Sequence, residues 1–388
     1  MLSACAALYA AYFVSAGLYG TYVPLWFESL GLPIVTIGFL MSMPSWTRLY
    51  ASFVWGWMAD RSGRHVALLR LSGLLSLIAA CVLLLKPDTA WLAVAIFALF
   101  SFNAAFVPLT DTVVGAELQT ADGGVDARRY GRVRLWGSLG YLVAVLGFGW
   151  LFDHAGMQAF VPALVATLAL LFLVTLIVPT RRLAAHAHEA KGPPLTEVLA
   201  RPDVRWFLAG IFLTVLAHQA LYCFYSLFLA DQGHSKSTVG LLWGVGVVAE
   251  IGWFALQGRM MERGTVHHWL AASALVAALR FAMTAAFPDQ LWLQVLLQAL
   301  HAITFAAQHL ACMALITRYF PGRLRGRGQA LYLVIGYGLS GVIGALGGGW
   351  LVDAWGLGSA FWAASLAALA GAACCWQSHR RTLQIVTQ

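Results

Sequence analysis

The sequence predicts an all-α membrane protein, with twelve transmembrane helices arranged as two pseudo-symmetric six-helix halves. Three observations carry this expectation. Apolar residue types make up 61% of the 388 residues and charged types 10%, with a mean hydropathy of +0.77, whereas a soluble domain carries about 25% charged residues. The apolar residues gather into runs of about 20, the length that crosses a bilayer. One phrase also occurs twice: GFGWLFDHAG at 147–156 returns as GGGWLVDAWG at 347–356, matching Gly147, Gly149, Trp150, Leu151, Asp153 and Gly156 to Gly347, Gly349, Trp350, Leu351, Asp353 and Gly356.

Cutting the chain at charge clusters, Pro and Gly gives spans at roughly 5–27, 34–58, 66–85, 90–118, 133–153, 158–179, 205–230, 239–260, 266–286, 291–318, 329–353 and 357–377. Inside hydrocarbon each backbone group must pair within its own segment, so each span is expected to be a helix. The first run, beginning MLSACAALYA, lacks the basic stretch of a cleavable leader and reads as a spanning helix.

Orientation follows from the cations. One set of loops holds Arg61, Arg64, Arg128, Arg129, Arg132, Arg181, Arg182, Lys191, Arg201, Arg263, Arg323, Arg325, Arg327, Arg380 and Arg381, and the opposite set only Lys86 and Lys236. The bias predicts a multi-pass protein of the cell (inner) membrane with both termini in the cytoplasm. The polar stretch TRRLAAHAHEAKGPPLTEVLARPDV at 180–204 divides the spans six and six. The expected domains are thus an N-terminal half at 1–180, a cytoplasmic linker at 181–204 and a C-terminal half at 205–388.

The repeat continues elsewhere. Gly31 and Gly38 return as Gly233 and Gly240, and Gly56, Met58, Asp60 and Arg61 as Gly258, Met260, Glu262 and Arg263, both at an offset of 202. Parallel halves of this kind suit a transporter, because a site at their interface opens to either side when one half rocks against the other.

Composition also excludes classes. The formal charge is +8, but the cations stand in short clusters between apolar runs rather than on one basic face, which argues against nucleic acid. The six cysteines lie inside apolar runs without metal-ligand spacing and read as small helix residues. No phosphate-binding loop or His-Glu-x-x-His motif occurs, so no cofactor and no metal are expected. GLSG at 338–341 matches a serine-protease tetrad, but it lies in a run of glycines of the kind that lets helices pack closely.

The loop GWMADRSGRH at 56–65 resembles the signature loop of the major facilitator superfamily through Gly56, Asp60, Arg61, Gly63 and Arg64, and GRMMERG at 258–264 is a weaker copy. VPLTD (107–111), YGRVRLWGSLG (130–140), GVVAEI (246–251) and the pair His301/His309 resemble the 3-phenylpropionate transporter family, which belongs with the lactose-permease-like proton symporters. The resemblance runs through the whole chain. It implies the major facilitator fold, proton-coupled uptake of a small solute, and a gating role for the 56–64 loop. The fifth span, GSLGYLVAVLGFGW, lacks the Gly-Pro pattern of drug antiporters.

Ionisable groups within a span cost about 2.5–3.5 kcal/mol each at the centre and call for a partner or a role. Here they are Arg48, Asp111, His218, Glu250, Arg280, His301 and His309. At about 1.5 Å per residue, His218, Glu250 and His301 sit roughly 15–18 Å deep. Arg48 and Glu250 are repeat counterparts of opposite charge. Two groups are expected: Arg48 with Asp111, and Glu250 with Arg280, His218 and His301. A carboxylate beside a cation and imidazoles can take and release a proton, which assigns proton coupling to Glu250, Arg280, His301, His309, His218 and Asp111.

The solute site is expected to be aromatic with few polar groups, suiting a ring with one charged end. Its candidates are Arg48, Tyr22, Asn103, Gln219, Tyr222 and Gln298, with Arg48 able to hold a carboxylate. The function expected is proton symport of a small organic solute, an aromatic carboxylate such as 3-phenylpropionate, by a monomer in the lipid bilayer. The alternatives are a sugar or nucleoside symporter, a non-transporting sensor, and an intramembrane hydrolase that would need Ser340.

Overall fold

In the computed structural model, residues 1–85, 88–120, 126–180 and 195–386 are described. Lys86, Arg181, Arg182, Lys191 and most of the expected linker, with Pro193 and Pro194, lie outside the described residues.

The helices in chain order are α1 (Leu2–Ser29), α2 (Ile34–Arg48), α3 (Ala51–Ser62), α4 (His65–Leu83), α5 (Thr89–Asn103), α6 (Phe106–Glu117), α7 (Ala127–Ala155), α8 (Phe160–Ile177), α9 (Leu195–Ala200), α10 (Pro202–Asp231), α11 (Lys236–Met261), α12 (Val266–Ala286), α13 (Leu291–Ala299), α14 (Gln308–Tyr319), α15 (Arg325–Leu331), α16 (Ser340–Trp355) and α17 (Gly358–Val386). Helical turns of π type, Ala302–Ala307 and Tyr332–Leu339, join α13 to α14 and α15 to α16.

Among the described residues, eleven segments are long and apolar enough to cross a membrane, including Thr89–Glu117, Leu291–Tyr319 and Arg325–Trp355, each of which joins consecutive helices. The twelfth expected span, 34–58, is the exception. It breaks after Arg48 into α2 and α3, with Tyr50 at φ −137°, and neither piece reaches spanning length alone. Near the break, Pro44 inside α2 lacks an N–H to donate, and Ser42, Ser45, Thr47 and Arg48 interrupt the apolar run.

The chain packs as two compact units. One comprises Met1–Leu32, Trp46–His188 and Ser235–Gly244; the other comprises Pro33–Ser45, Glu189–His234 and Val245–Gln388.

In the first unit α1 is central and packs against α7 and α8. Trp26 stacks on Phe160 at 4.9 Å, and the Tyr22 hydroxyl, wholly buried, donates to the Val145 carbonyl. Arg70 of α4 donates to the carbonyls of Leu176 and Val178 at 3.2 and 3.0 Å, closing the end of α8. The first turn of α11 belongs here too. Asp153 accepts from the backbone N–H groups of Lys236 and Ser237, both at 2.8 Å, and so caps that helix. A Cβ on Gly149 would stand 2.7 Å from the Lys236 carbonyl oxygen, so the two backbones can meet only at a glycine.

In the second unit α10 lies along α17. Phe228 meets Phe361 at 4.9 Å, and Ser378 donates to the Asp203 carbonyl at 2.8 Å. On α12, Ala278 accepts from Ser365 of α17 at 2.8 Å. The start of α2 packs against α16, where a Cβ on Gly38 would stand 2.6 Å from the Ala345 carbonyl oxygen. The repeat thus has a physical reading: each copy of the glycine phrase holds a neighbouring helix at backbone distance. The copies differ in one respect, since Asp353 is exposed and makes no hydrogen bond among the described residues.

Candidate functional site

Each unit contains a polar cluster. In the first unit the centre is Asp111 on α6. Its Oδ1 accepts from the Tyr9 hydroxyl, from the Tyr130 hydroxyl at 3.0 Å and from Arg134 Nη1 at 3.1 Å. The Arg134 guanidinium also lies 5.6 Å over the Tyr9 ring, a further favourable contact for a cation. Tyr130 and Arg134 are four residues apart and share a face of α7, which places both against α6.

This corrects the expected Arg48–Asp111 pair. The partner of Asp111 is Arg134, which the sequence reading passed over among the cations at the start of the fifth span. Arg48 ends α2 at the break, is exposed, and makes no ion pair or hydrogen bond among the described residues. Its electrostatic neighbour is the Tyr12 hydroxyl of α1, which also lies within reach of Arg134. A guanidinium without a protein partner can take an anion through parallel hydrogen bonds.

In the second unit the cluster is a chain of hydrogen bonds with a fixed direction. A guanidinium can only donate, so Arg280 Nη1 gives a hydrogen to His301 Nδ1 at 2.9 Å. His301 therefore carries its own hydrogen on Nε2, and that atom lies 3.1 Å from Glu250 Oε1. Arg280 Nη1 also donates to Thr304 Oγ1 at 3.1 Å, and its Nη2 to Gln298 Oε1. His218 Nδ1 faces the Thr214 carbonyl at 2.8 Å, so it is the donor there. Its Nε2 is left to accept from the Thr304 hydroxyl at 3.2 Å. The donors thus run outward from Arg280 in two branches, one ending on the Glu250 carboxylate and the other, through Thr304 and His218, on the Thr214 carbonyl.

The expected direct Glu250–Arg280 pair is replaced by one in which His301 stands between them. The reason is the π turn at Ala302–Ala307. It begins just after His301 and carries Thr304, so the imidazole and the hydroxyl both meet the guanidinium. Arg280 is 2% exposed, Thr304 0% and His218 2%, so these bonds are made out of water, where a missing partner is costly. Thr304 was missed because a hydroxyl three residues after a histidine carries no sequence signal of its own.

Other predicted residues divide between lining and packing. His309 bonds the Tyr332 hydroxyl at 3.0 Å, and Phe305 stacks between the rings of His301 and His309 at 5.2 and 6.4 Å. Tyr222 lies beside His218, with ring centres 6.3 Å apart. Gln298 supports Arg280. Tyr22 is bonded to the α7 backbone, and Gln219 donates to the Val215 carbonyl of its own helix at 3.4 Å. Asn103 ends α5 and lines a half-open cleft with Tyr12, Tyr19 and Phe100. Ser340 is buried and donates to the Gly336 carbonyl.

In the signature loop, α3 ends at Gly63, whose φ of 64° favours glycine. Gly56 lies within α3, Arg61 stands 5.6 Å over the Trp57 ring, and Asp60 and Arg64 are exposed.

The chain matches the model of the MFS_1-like family over residues 2–363. It is 32% identical to a probable 3-phenylpropionic acid transporter of Escherichia coli over 93% of both chains. It is 27% identical to the maltose permease of Geobacillus stearothermophilus over 89% of this chain and 86% of that one. Among solved structures, the nucleoside transporter NupG superposes with a TM-score of 0.84 at 16% identity, covering 98% of this chain and 99% of that one. A bacterial homologue of the lysosomal transporter Spinster superposes at 0.72 with 17% identity, over 99% and 97%. These likenesses establish the major facilitator fold, and with it a multi-pass membrane transporter rather than an enzyme. The chain belongs to the MFS_1-like family of the major facilitator superfamily.

Proposed function

We propose that the chain is a proton-coupled symporter for a small aromatic carboxylate, working as a monomer in the inner membrane with both termini in the cytoplasm. The observation that supports the substrate class is Arg48, an exposed guanidinium at the break between α2 and α3 that no carboxylate among the described residues neutralises. A sugar or nucleoside gives such a group no charge to meet, while a carboxylate meets it with two parallel hydrogen bonds. The 32% identical relative, described as a probable 3-phenylpropionic acid transporter, points the same way.

The proton belongs to the second cluster. Glu250 ends the donor chain and receives a hydrogen from His301 Nε2. A proton arriving on the carboxyl removes the negative charge that His301 Nε2–H faces and weakens that hydrogen bond. The change reaches Arg280 through His301 Nδ1 and then Thr304 and His218. Glu250 is therefore the proton carrier, His301 the link, Arg280 and Gln298 the fixed frame, and His309 a neighbouring support. Asp111 has a different part: with three donors on one oxygen it holds Arg134 in place. Asp60, Arg61 and Arg64 serve the alternation between inward- and outward-open states from the 56–64 loop.

The test is solute-driven proton movement in proteoliposomes. Aromatic acids, sugars and nucleosides are offered to wild type and Glu250→Gln while a pH dye reports the lumen. Acidification of the lumen with aromatic acids alone, lost in the variant although the acid still binds, is the expected result. Equal proton movement in both proteins would remove Glu250 from the mechanism. A response to maltose alone would favour the sugar reading that the maltose permease relative supports.

A further inference from the structure

The cleft between α1, α5 and α8 contains polar groups that an unsubstituted phenyl ring would leave unused. It lies in the first unit, with walls formed by Tyr12, Tyr19, Phe100, Leu164 and Leu168. Asn103 stands at its edge because α5 stops there and α6 begins only at Phe106. The Asn103 side chain offers two donor hydrogens and an acceptor oxygen, and none of them is bonded to another described residue. The Tyr12 hydroxyl, in the same cleft, is likewise without a hydrogen-bond partner among the described residues and lies within electrostatic reach of Arg48.

The free space is about 40 Å3, room for the leading edge of a ring and one substituent, so the rest of the solute stays outside the cleft. A carboxylate at Arg48 and a ring edge at Asn103 would place the polar end of the ring against the amide. An amide enclosed by an apolar ring edge loses its water and gains nothing in return. A ring hydroxyl repairs this, since it donates to Asn103 Oδ1 and accepts from Asn103 Nδ2 or Tyr12. Sites that bond a substrate hydroxyl discriminate strongly against the analogue lacking it.

We infer that the cleft is a specificity subsite for a hydroxyl on the ring of the solute, so that the preferred substrate class is phenolic acids rather than plain phenylalkanoates. This rests on the carboxylate reading above and refines it at the opposite end of the solute.

The experiment is competition binding on purified protein with two acids, 3-phenylpropionate and 3-(4-hydroxyphenyl)propionate, using wild type, Asn103→Leu and Tyr12→Phe. The expected result is that the hydroxylated acid binds wild type about tenfold more tightly, the effect of one satisfied polar group. Asn103→Leu should erase that preference while plain phenylpropionate binds as well as before or better, and Tyr12→Phe should reduce it. If both acids bind wild type equally, the subsite is overturned while the carboxylate reading stands. A wild-type preference that neither substitution reduces also overturns it. If neither acid binds but a neutral sugar does, both readings fall. Should Asn103→Leu not fold, the wild-type ratio and Tyr12→Phe decide alone.

Discussion

Replacing Thr304 by valine removes one hydroxyl and keeps the shape. That hydroxyl accepts from Arg280 at 3.1 Å and serves His218 at 3.2 Å, so two hydrogen bonds go at once. Hydrogen bonds between membrane helices are worth about 0.6 kcal/mol on average and up to about 1.7. All three side chains are nearly inaccessible to water, so no solvent replaces the lost partner and the upper part of that range applies. The expected destabilisation is about 2 kcal/mol, read from denaturant unfolding of the protein in detergent. A double-mutant cycle with His218→Phe separates this from general packing. If the hydroxyl joins the two helices, removing it after His218 is gone should cost about 1 kcal/mol less than removing it first. A loss under about 0.5 kcal/mol for Thr304→Val, or strict additivity in the cycle, would show that the hydroxyl merely fills space, and the branch from Arg280 to His218 would lose its link.

Two further outcomes follow from the first unit. Asp153→Ala removes the acceptor that caps the start of α11 with two 2.8 Å bonds, and should lower stability by about 1 kcal/mol; a thermal unfolding midpoint equal to wild type would refute the capping role. Asp111→Asn removes the countercharge of Arg134, leaving a second unneutralised guanidinium within reach of Tyr12. Both side chains of that pair are more than a third exposed to solvent, so the electrostatic gain is modest. Binding of an aromatic acid should tighten about fivefold rather than weaken. Weaker binding in a folded variant would show that Asp111 contacts the solute itself or that Arg134 is not available to it.

The division of labour between sequence and structure is physical. Span positions were legible because hydrocarbon imposes both a length and a composition on each helix. The one discrepancy, the break after Arg48, falls where a proline and a run of small polar residues interrupt the apolar pattern. The repeat was legible because backbone contact between helices tolerates only glycine, so Gly38 and Gly149 could not drift. That the two copies use their aspartates differently was not legible: Asp153 caps a helix and Asp353 does not, although the surrounding words are the same.

Within the sites, the sequence identified which residues need partners but not which partners they have. A cost of about 2.5–3.5 kcal/mol per buried charge singles out Arg48, Asp111, Glu250 and Arg280 from their surroundings. It does not say which helices are neighbours, so the four charges were joined in the shortest way, Arg48 to Asp111 and Glu250 to Arg280. The structure supplies what each pairing lacked. Asp111 finds Arg134, a cation two residues past Arg132 and so on the opposite side of the same helix, and Arg48 is left with no acid. Arg280 reaches Glu250 only through His301, because a π turn brings an imidazole and a threonine hydroxyl to the guanidinium together. Both differences bear on mechanism in the same direction. A carboxylate oxygen that already accepts three hydrogen bonds is poorly placed to exchange a proton, and a carboxylate at the end of a donor branch is better placed. A guanidinium without an acid is the group that an anionic solute can claim. The assignments of proton to Glu250 and solute to Arg48 thus depend on which polar groups the fold leaves unsatisfied, a property of helix neighbours that no single span carries.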